Sequence, residues 1–239
     1  MTDGSLLFSK EVAINQNIKI IIPTIGEIIG KGVDNYYSIA TLLTAAPIDL
    51  MVLLDDMGID FTTIGDYQLF LMMFAYIKEQ DTSLFFGDLN ISGFKQAENS
   101  ENGTIVLYDE ANNIVIDESV HWLMADTLRR INHFERNYHK PGNEAAREYM
   151  IERARIKMKR RKDKTKDSDL ASLIVAMVNS EQYKFDFEGT KNLTIYQFNE
   201  CVKQVIKKND YNNKMYGIYA GTISAKELDR NDLNWLIHK

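Results

Sequence analysis

The sequence predicts an α+β protein that is mostly α-helical, with an N-terminal β-hairpin and a small central β-hairpin insertion. Three observations carry that class. Long stretches repeat apolar residues at spacings of three and four, the mark of a helix with one buried face. Two short stretches are β-branched and flanked by turn residues. The chain of 239 residues is 45% hydrophobic and 26% charged, enough to bury a substantial core without any apolar run of the roughly 20 residues that span a bilayer. No membrane contact is expected. The predicted organisation is a hairpin plus helical region over 1–84, a β insertion over 85–118 and a helical region over 119–239 with a charged linker near 163–169.

Glu11–Ile14 and Ile18–Ile22, separated by Asn-Gln-Asn, read as the first hairpin. Pro23 stops the second strand and is expected as the first residue of a helix that Gly30 and Gly32 end. Asp34 is expected to cap "NYYSIATLLTAA", and Pro47 to open "PIDLMVLLDDMG". Leu50, Leu53, Leu54 and Met57 mark a buried face that leaves Asp55 and Asp56 on the exposed side or the last turn. Gly58 is placed as a left-handed terminator with Ile59 as its apolar contact, and Asp66 as the cap of "YQLFLMMFAYIKE". "LNISGF", "TIVLYDE" and "NIVIDE" form a second hairpin or three short strands, with "KQAENSENG" as a solvated loop. From Ser119 a helix over "ESVHWLMADTLRRINHFERNY" aligns Val120, Leu123, Met124, Leu128, Ile131 and Phe134 on one stripe. Asn143 caps the next helix, "EAAREYMIERARIKMKRRKDK". Beyond the linker come "LASLIVAMVNS", a long helix through "KMYGIYAG", whose glycines suit close helix packing, and a last helix after Ser224.

The chain carries no recognisable catalytic constellation. "DDMGIDFTTIGD" lacks the ligand order and terminal Glu of a calcium loop, so Asp55, Asp56 and Asp60 read as a joint between helices. "GEIIGKG" misses the phosphate-loop spacing and its hydroxyl. His121, His133, His139 and His238 show no zinc spacing, and the two helical ones, His121 and His133, suit partly exposed packing. Cys201, the single cysteine, sits in an apolar helical setting that suits a buried structural thiol and a reducing compartment. The N-terminus lacks the pattern of a secretory signal, so a cytoplasmic location is expected. No metal, cofactor or catalytic residue is predicted, and the chain is read as no enzyme.

Charge is more informative. Arg147–Lys166 holds ten basic and three acidic residues, so a segment of +7 is joined to a remainder of −13 in a chain of net −6. Such a helix could follow a phosphate backbone, pair with the protein's own acidic surface or meet an acidic partner. Tyr149 is its only aromatic, which ranks base stacking behind protein contact. The predicted partner-binding residues are Arg147, Arg153, Arg155, Lys157, Lys159, Arg160, Arg161 and Lys162, with the acidic joint Asp55 and Asp56.

"IIPTIGEII", "YYSIATLLTAAPIDLMVLLDDMGIDFTTI", "KPGNEAAREYMIERAR" and "LIVAMVNSEQYKFDFEGTKNLTIYQFNECVKQV" resemble segments of poorly characterised proteins from tailed phages and prophages of Gram-positive bacteria. The resemblance runs from Leu6 to Trp235 and carries no functional residue across. It implies tail morphogenesis through protein–protein contacts, as a structural tail or baseplate component or, alternatively, as a transient tail assembly chaperone. A phage nucleic-acid-associated factor binding through 147–166 is the other alternative. The implied partners are other tail or baseplate proteins, with self-association open. The implied location is the host cytoplasm during assembly and the virion tail.

Overall fold

The computed structural model describes residues 3–99, 103–162, 169–229 and 233–236. After a single helical turn, α1 (Asp3–Leu6), strand β1 (Glu11–Ala13) pairs antiparallel with β2 (Lys19–Ile21), Val12 opposite Ile20. Asn15 shapes the turn: its Oδ1 accepts from the N–H groups of Asn17 and Ile18 at 2.9 and 2.8 Å. Pro23 does not open the next helix, α2 (Ile25–Lys31). Thr24 caps it, its Oγ1 accepting from the Glu27 N–H at 3.2 Å while the Glu27 carboxylate accepts from the Thr24 N–H at 2.7 Å. Gly32, at φ 98°, lets α3 (Val33–Thr44) follow without a spacer, which puts Asp34 inside the first turn and not at the cap.

Pro47 opens a 3-10 turn, Pro47–Leu50, that passes into α4 (Met51–Asp56). That turn winds at three residues instead of 3.6 and so rotates the helix relative to a purely α reading. The buried face is therefore Ile48, Val52 and Leu54, whereas Leu53 and Met57 are exposed. Gly58 terminates α4 at φ 72°, with the Ile59 N–H donating to the Leu54 carbonyl at 2.8 Å and the Gly58 N–H to the Asp55 carbonyl at 2.9 Å. Helix α5 (Asp66–Ile77) is capped by Gly65, whose N–H is taken by the Gln68 side chain, so Asp66 is not the cap. Helix α6 (Ser83–Phe86) supplies Phe85, stacked on Tyr36 at 5.0 Å.

The central insertion is a three-stranded antiparallel sheet, β3 (Lys95–Glu98), β4 (Ile105–Asp109) and β5 (Ile114–Ile116), in which the expected hairpin is the β4–β5 pair. "LNISGF" forms a 3-10 turn, Ile91–Gly93, and β3 comes from the stretch expected to be a loop. As an edge strand largely open to solvent, β3 is polar, so composition hides it. Residues 100–102 of that stretch lie outside the described ones.

Asp117 caps α7 (Glu118–Asn132), accepting from the Val120 N–H at 2.8 Å. The helix stops at His133, in the left-handed region at φ 55°, well short of Tyr138. Met124, Leu128 and Ile131 form the buried stripe, and Leu123 is exposed. Asn143 caps α8 (Glu144–Lys162) through the Ala146 N–H at 2.8 Å. Residues 163–168 of the expected linker lie outside the described ones. Helices α9 (Asp169–Val178), α10 (Phe187–Asn192) and α11 (Ile195–Tyr219) follow, α10 unannounced by the sequence pattern. The chain beyond Ser224 forms a 3-10 turn, Ala225–Glu227, without a side-chain cap, and the remainder of the expected helix falls partly on 230–232, outside the described residues. Gly217 serves this return and not a neighbouring helix: a Cβ there would lie 2.5 Å from Ile223 Cδ1.

With 58% helix and two small antiparallel sheets, the protein is α+β and mostly helical. One hydrophobic core draws on the N-terminal hairpin, the central sheet and the C-terminal helices alike, with Ile20, Ile28, Leu107, Ile131, Ile195 and Phe198 at its centre. The start of α2 is stitched to the start of α11, the Ile25 N–H donating to the Leu193 carbonyl at 2.9 Å and the Ile195 N–H to the Pro23 carbonyl at 2.8 Å. Gly26 permits this approach, since a Cβ would meet Lys191 Cγ at 2.7 Å. A smaller cluster of Ala46, Ile48, Leu54, Phe61 and Leu69 lies beneath α4, and α8 reaches it through Ile151. Ile151 is the one buried side chain among the described residues of α8.

Candidate interaction surface

The acidic joint and the basic helix meet each other. Asp55 and Asp56 occupy the last turn of α4, where carboxylates oppose the negative end of the helix dipole. Arg155 reaches across from α8 and answers both: its Nη2 donates to Asp55 Oδ2 at 2.7 Å and to Asp56 Oδ1. These hydrogen bonds, that to Asp56 first, raise the Arg155 pKa above its ordinary value. One turn beyond the joint, Asp60 Oδ1 accepts from the Thr62 N–H and hydroxyl, both at 2.8 Å, which holds its carboxyl below the usual range. Arg147 pairs with Glu144 and lies 3.7 Å from Asp60. Among the described residues no three or more His, Cys, Asp or Glu side chains converge in a metal-holding group.

The far half of α8 is different. Arg153, Lys157, Lys159 and Arg160 are exposed, and among the described residues no carboxylate pairs with them. Arg153 donates instead to the Tyr149 hydroxyl at 3.0 Å, its guanidinium 5.7 Å from that ring's centroid. Between α4 and this half of α8 runs a groove of about 560 Å³. Met51, Met150, Ala154 and Ile156 line it, and Arg153, Lys157 and Arg160 stand along it. The backbones of Arg161 and Lys162 close α8, and their side chains lie outside the described ones.

A second cleft, about 720 Å³, opens between α7 and α11 and was not legible as a unit in the sequence. At its base the Asp66 carboxylate takes two hydrogen bonds from Arg136, both 2.9 Å, and lies 3.5 Å from buried Arg129. Arg129 also donates from Nε to the Thr44 carbonyl at 3.1 Å, closing the C-terminal end of α3. His133 Nε2 lies 3.2 Å from Glu200 on the same wall, and Lys203 lies 3.8 Å from that carboxylate. Charges here answer one another, so this cleft reads as a structural joint with Trp122 exposed at its rim. The only sequence hint was the Arg129-Arg130 pair in the last turn of α7.

His121 is buried, not partly exposed, and stacks on Phe70 with ring centroids 4.3 Å apart. Burial pulls its pKa down to about 4. Cys201 is half-buried against the core, and burial pushes its thiol up, which suits a structural role better than a thiolate nucleophile. His238 lies outside the described residues. Among the described residues no helix is long and apolar enough to cross a membrane.

Fold and surface together define a mostly helical α+β scaffold that carries a cation-bearing helix beside an apolar groove. Residues 160–238 match the family model of the YomV second domain, a family of phage and prophage type. The match begins in the last turn of α8 and takes in α9, α10 and α11. No curated protein and no solved structure matches the chain.

Proposed function

We propose that this protein is a non-enzymatic bacteriophage tail-morphogenesis protein that works through protein–protein contacts, as a structural tail or baseplate component. The observation that carries the reading is the far half of α8, where exposed cations with no carboxylate partner among the described residues border an apolar groove. A surface of that kind suits docking. The similarity of 160–238 to a phage and prophage family sets the biological context, and the absence of any catalytic signature in the sequence accords with a role filled by surfaces. Its partners on this reading are other tail or baseplate proteins, met in the host cytoplasm and retained in the virion tail.

Mass spectrometry of purified particles, run beside the infected-cell lysate, tests this. The expected result is stoichiometric peptides in the particle. Abundant peptides in the lysate with none in the particle would replace the structural role with that of a transient assembly chaperone. The exposed cations also favour a second reading, a nucleic-acid factor acting through 147–166. On that reading the chain binds DNA or RNA with an affinity that falls steeply with salt, and neutralising Arg153, Lys157 and Arg160 abolishes it.

A further inference from the structure

We infer that the groove between α4 and the far half of α8 is a docking site for an acidic amphipathic helix of a partner protein. This rests on the reading above only in taking the partner to be a protein. Arg153, Lys157 and Arg160 follow one another at i, i+4 and i+7, so they form a single stripe about 10 Å long on one face of α8. Beside the stripe, Ile156 is 44% and Tyr149 57% exposed, although both border the apolar lining. A ligand that fits must therefore present apolar side chains along one seam and carboxylates along its flank. A helix with apolar residues at i, i+3, i+4 and i+7 and flanking Asp or Glu meets both demands.

The floor suits such a guest. Met51 and Met150 are unbranched and adaptable, so they can mould to different side chains at small cost. The groove is also held in shape before any partner arrives, by Arg155 on Asp55 and Asp56 and by Ile151 in the cluster below. That preorganisation lowers the ordering cost of binding. A second copy docked through the same groove in a two-fold arrangement would set one cationic stripe against the other, which is repulsive. Nucleic acid would use the cations, but it would leave the methionine and isoleucine lining unused and find only Tyr149 for stacking.

The test titrates the full chain into three fluorescent probes and follows anisotropy. Two are amphipathic peptides of roughly 18 residues, five turns, with the same leucine seam and either glutamate or glutamine flanks. The third is a single-stranded oligonucleotide of similar length. The expected result is that the glutamate peptide binds at least about tenfold more tightly than the glutamine peptide. The triple variant Arg153→Glu, Lys157→Glu, Arg160→Glu should lose that preference and bind the glutamine peptide more tightly than the glutamate one. Ala154→Arg should fill the groove and lose all peptides at an unchanged melting temperature, because its side chain points to the groove and not the core. Equal affinity for the two flanks, binding of neither, or an oligonucleotide that competes out the peptide would each overturn the inference. Particle incorporation reads separately. A triple variant still incorporated would sink this docking site but not the structural role, and a wild-type chain missing from particles yet selective for the glutamate peptide would do the reverse.

Discussion

At Asp66 two guanidinium groups converge on one carboxylate; at Arg155 one guanidinium is shared between two carboxylates. The motifs mirror each other in charge and differ in solvent. Arg129 is 9% and Asp66 19% exposed, and Arg129 additionally seals the open carbonyl of Thr44. Around Arg155 the three side chains are 37 to 54% exposed. Burial makes the first network costly to leave half-made, because an unpaired charge there loses water as well as its partner. Exposure makes the second one weak, since water and salt can replace either member. The two therefore do different work. The Asp66 network ties α5, α7 and α3 into the core, whereas the Arg155 contact orients a helix whose buried anchor is Ile151.

Removing Asp66 breaks the comparison hardest. Asp66→Asn leaves Arg129 buried without a counter-ion and is expected to cost about 3 kcal/mol or more in urea unfolding. Arg136→Ala should cost less, because Asp66 keeps Arg129. The same region sharpens the contrast through pH. His121 packs on Phe70 and Tyr67 and faces the Asp66 and Arg129 charges. Its folded pKa of about 4 lies below the ordinary 6.5, so the unfolded chain binds the proton more readily. This contribution is complete above pH 6.5 and is lost as pH falls toward 4, in total about 3 kcal/mol. The His121→Phe variant should lack that portion of the acid destabilisation. An unchanged slope between pH 6.5 and 4 would show that His121 is not held neutral by burial.

Much of the scaffold was legible because local chemistry dictates it. The hairpin around Asn15, the left-handed stop at Gly58 with its Ile59 contact, and the Asn143 cap all depend on a few neighbouring residues. Errors came where a tertiary demand outranked local preference. Asp66 has the composition of a cap, but Gly65 with Gln68 caps the helix and frees the carboxylate for two arginines far along the chain. Leu53 looks like core by spacing, yet a 3-10 start rotates it outward. The polar strand β3 exists only because β4 pairs with it. At the candidate surface the charge segregation was visible in sequence, whereas the pairing of Arg155 with Asp55 and Asp56 was one of several open outcomes. A distance of a hundred residues leaves no periodicity to read.

Helix α8 separates anchoring from orientation. Ile151→Ala removes the one buried side chain among its described residues and is expected to cost about 2 kcal/mol, the low end for such a truncation, because the satellite cluster is small. Arg155→Ala should have the smallest effect, a melting temperature close to wild type with faster amide exchange confined to α8. Asp55→Asn and Asp56→Asn should each be nearly silent, since either remaining carboxylate still holds Arg155, while the double variant should reproduce Arg155→Ala. If Arg155→Ala instead lowered global stability as far as Asp66→Asn, exposure would not be what distinguishes the two networks. The α8 contact would then belong to the cooperative core, and the groove beside it would be a consequence of folding rather than a surface held ready for a partner.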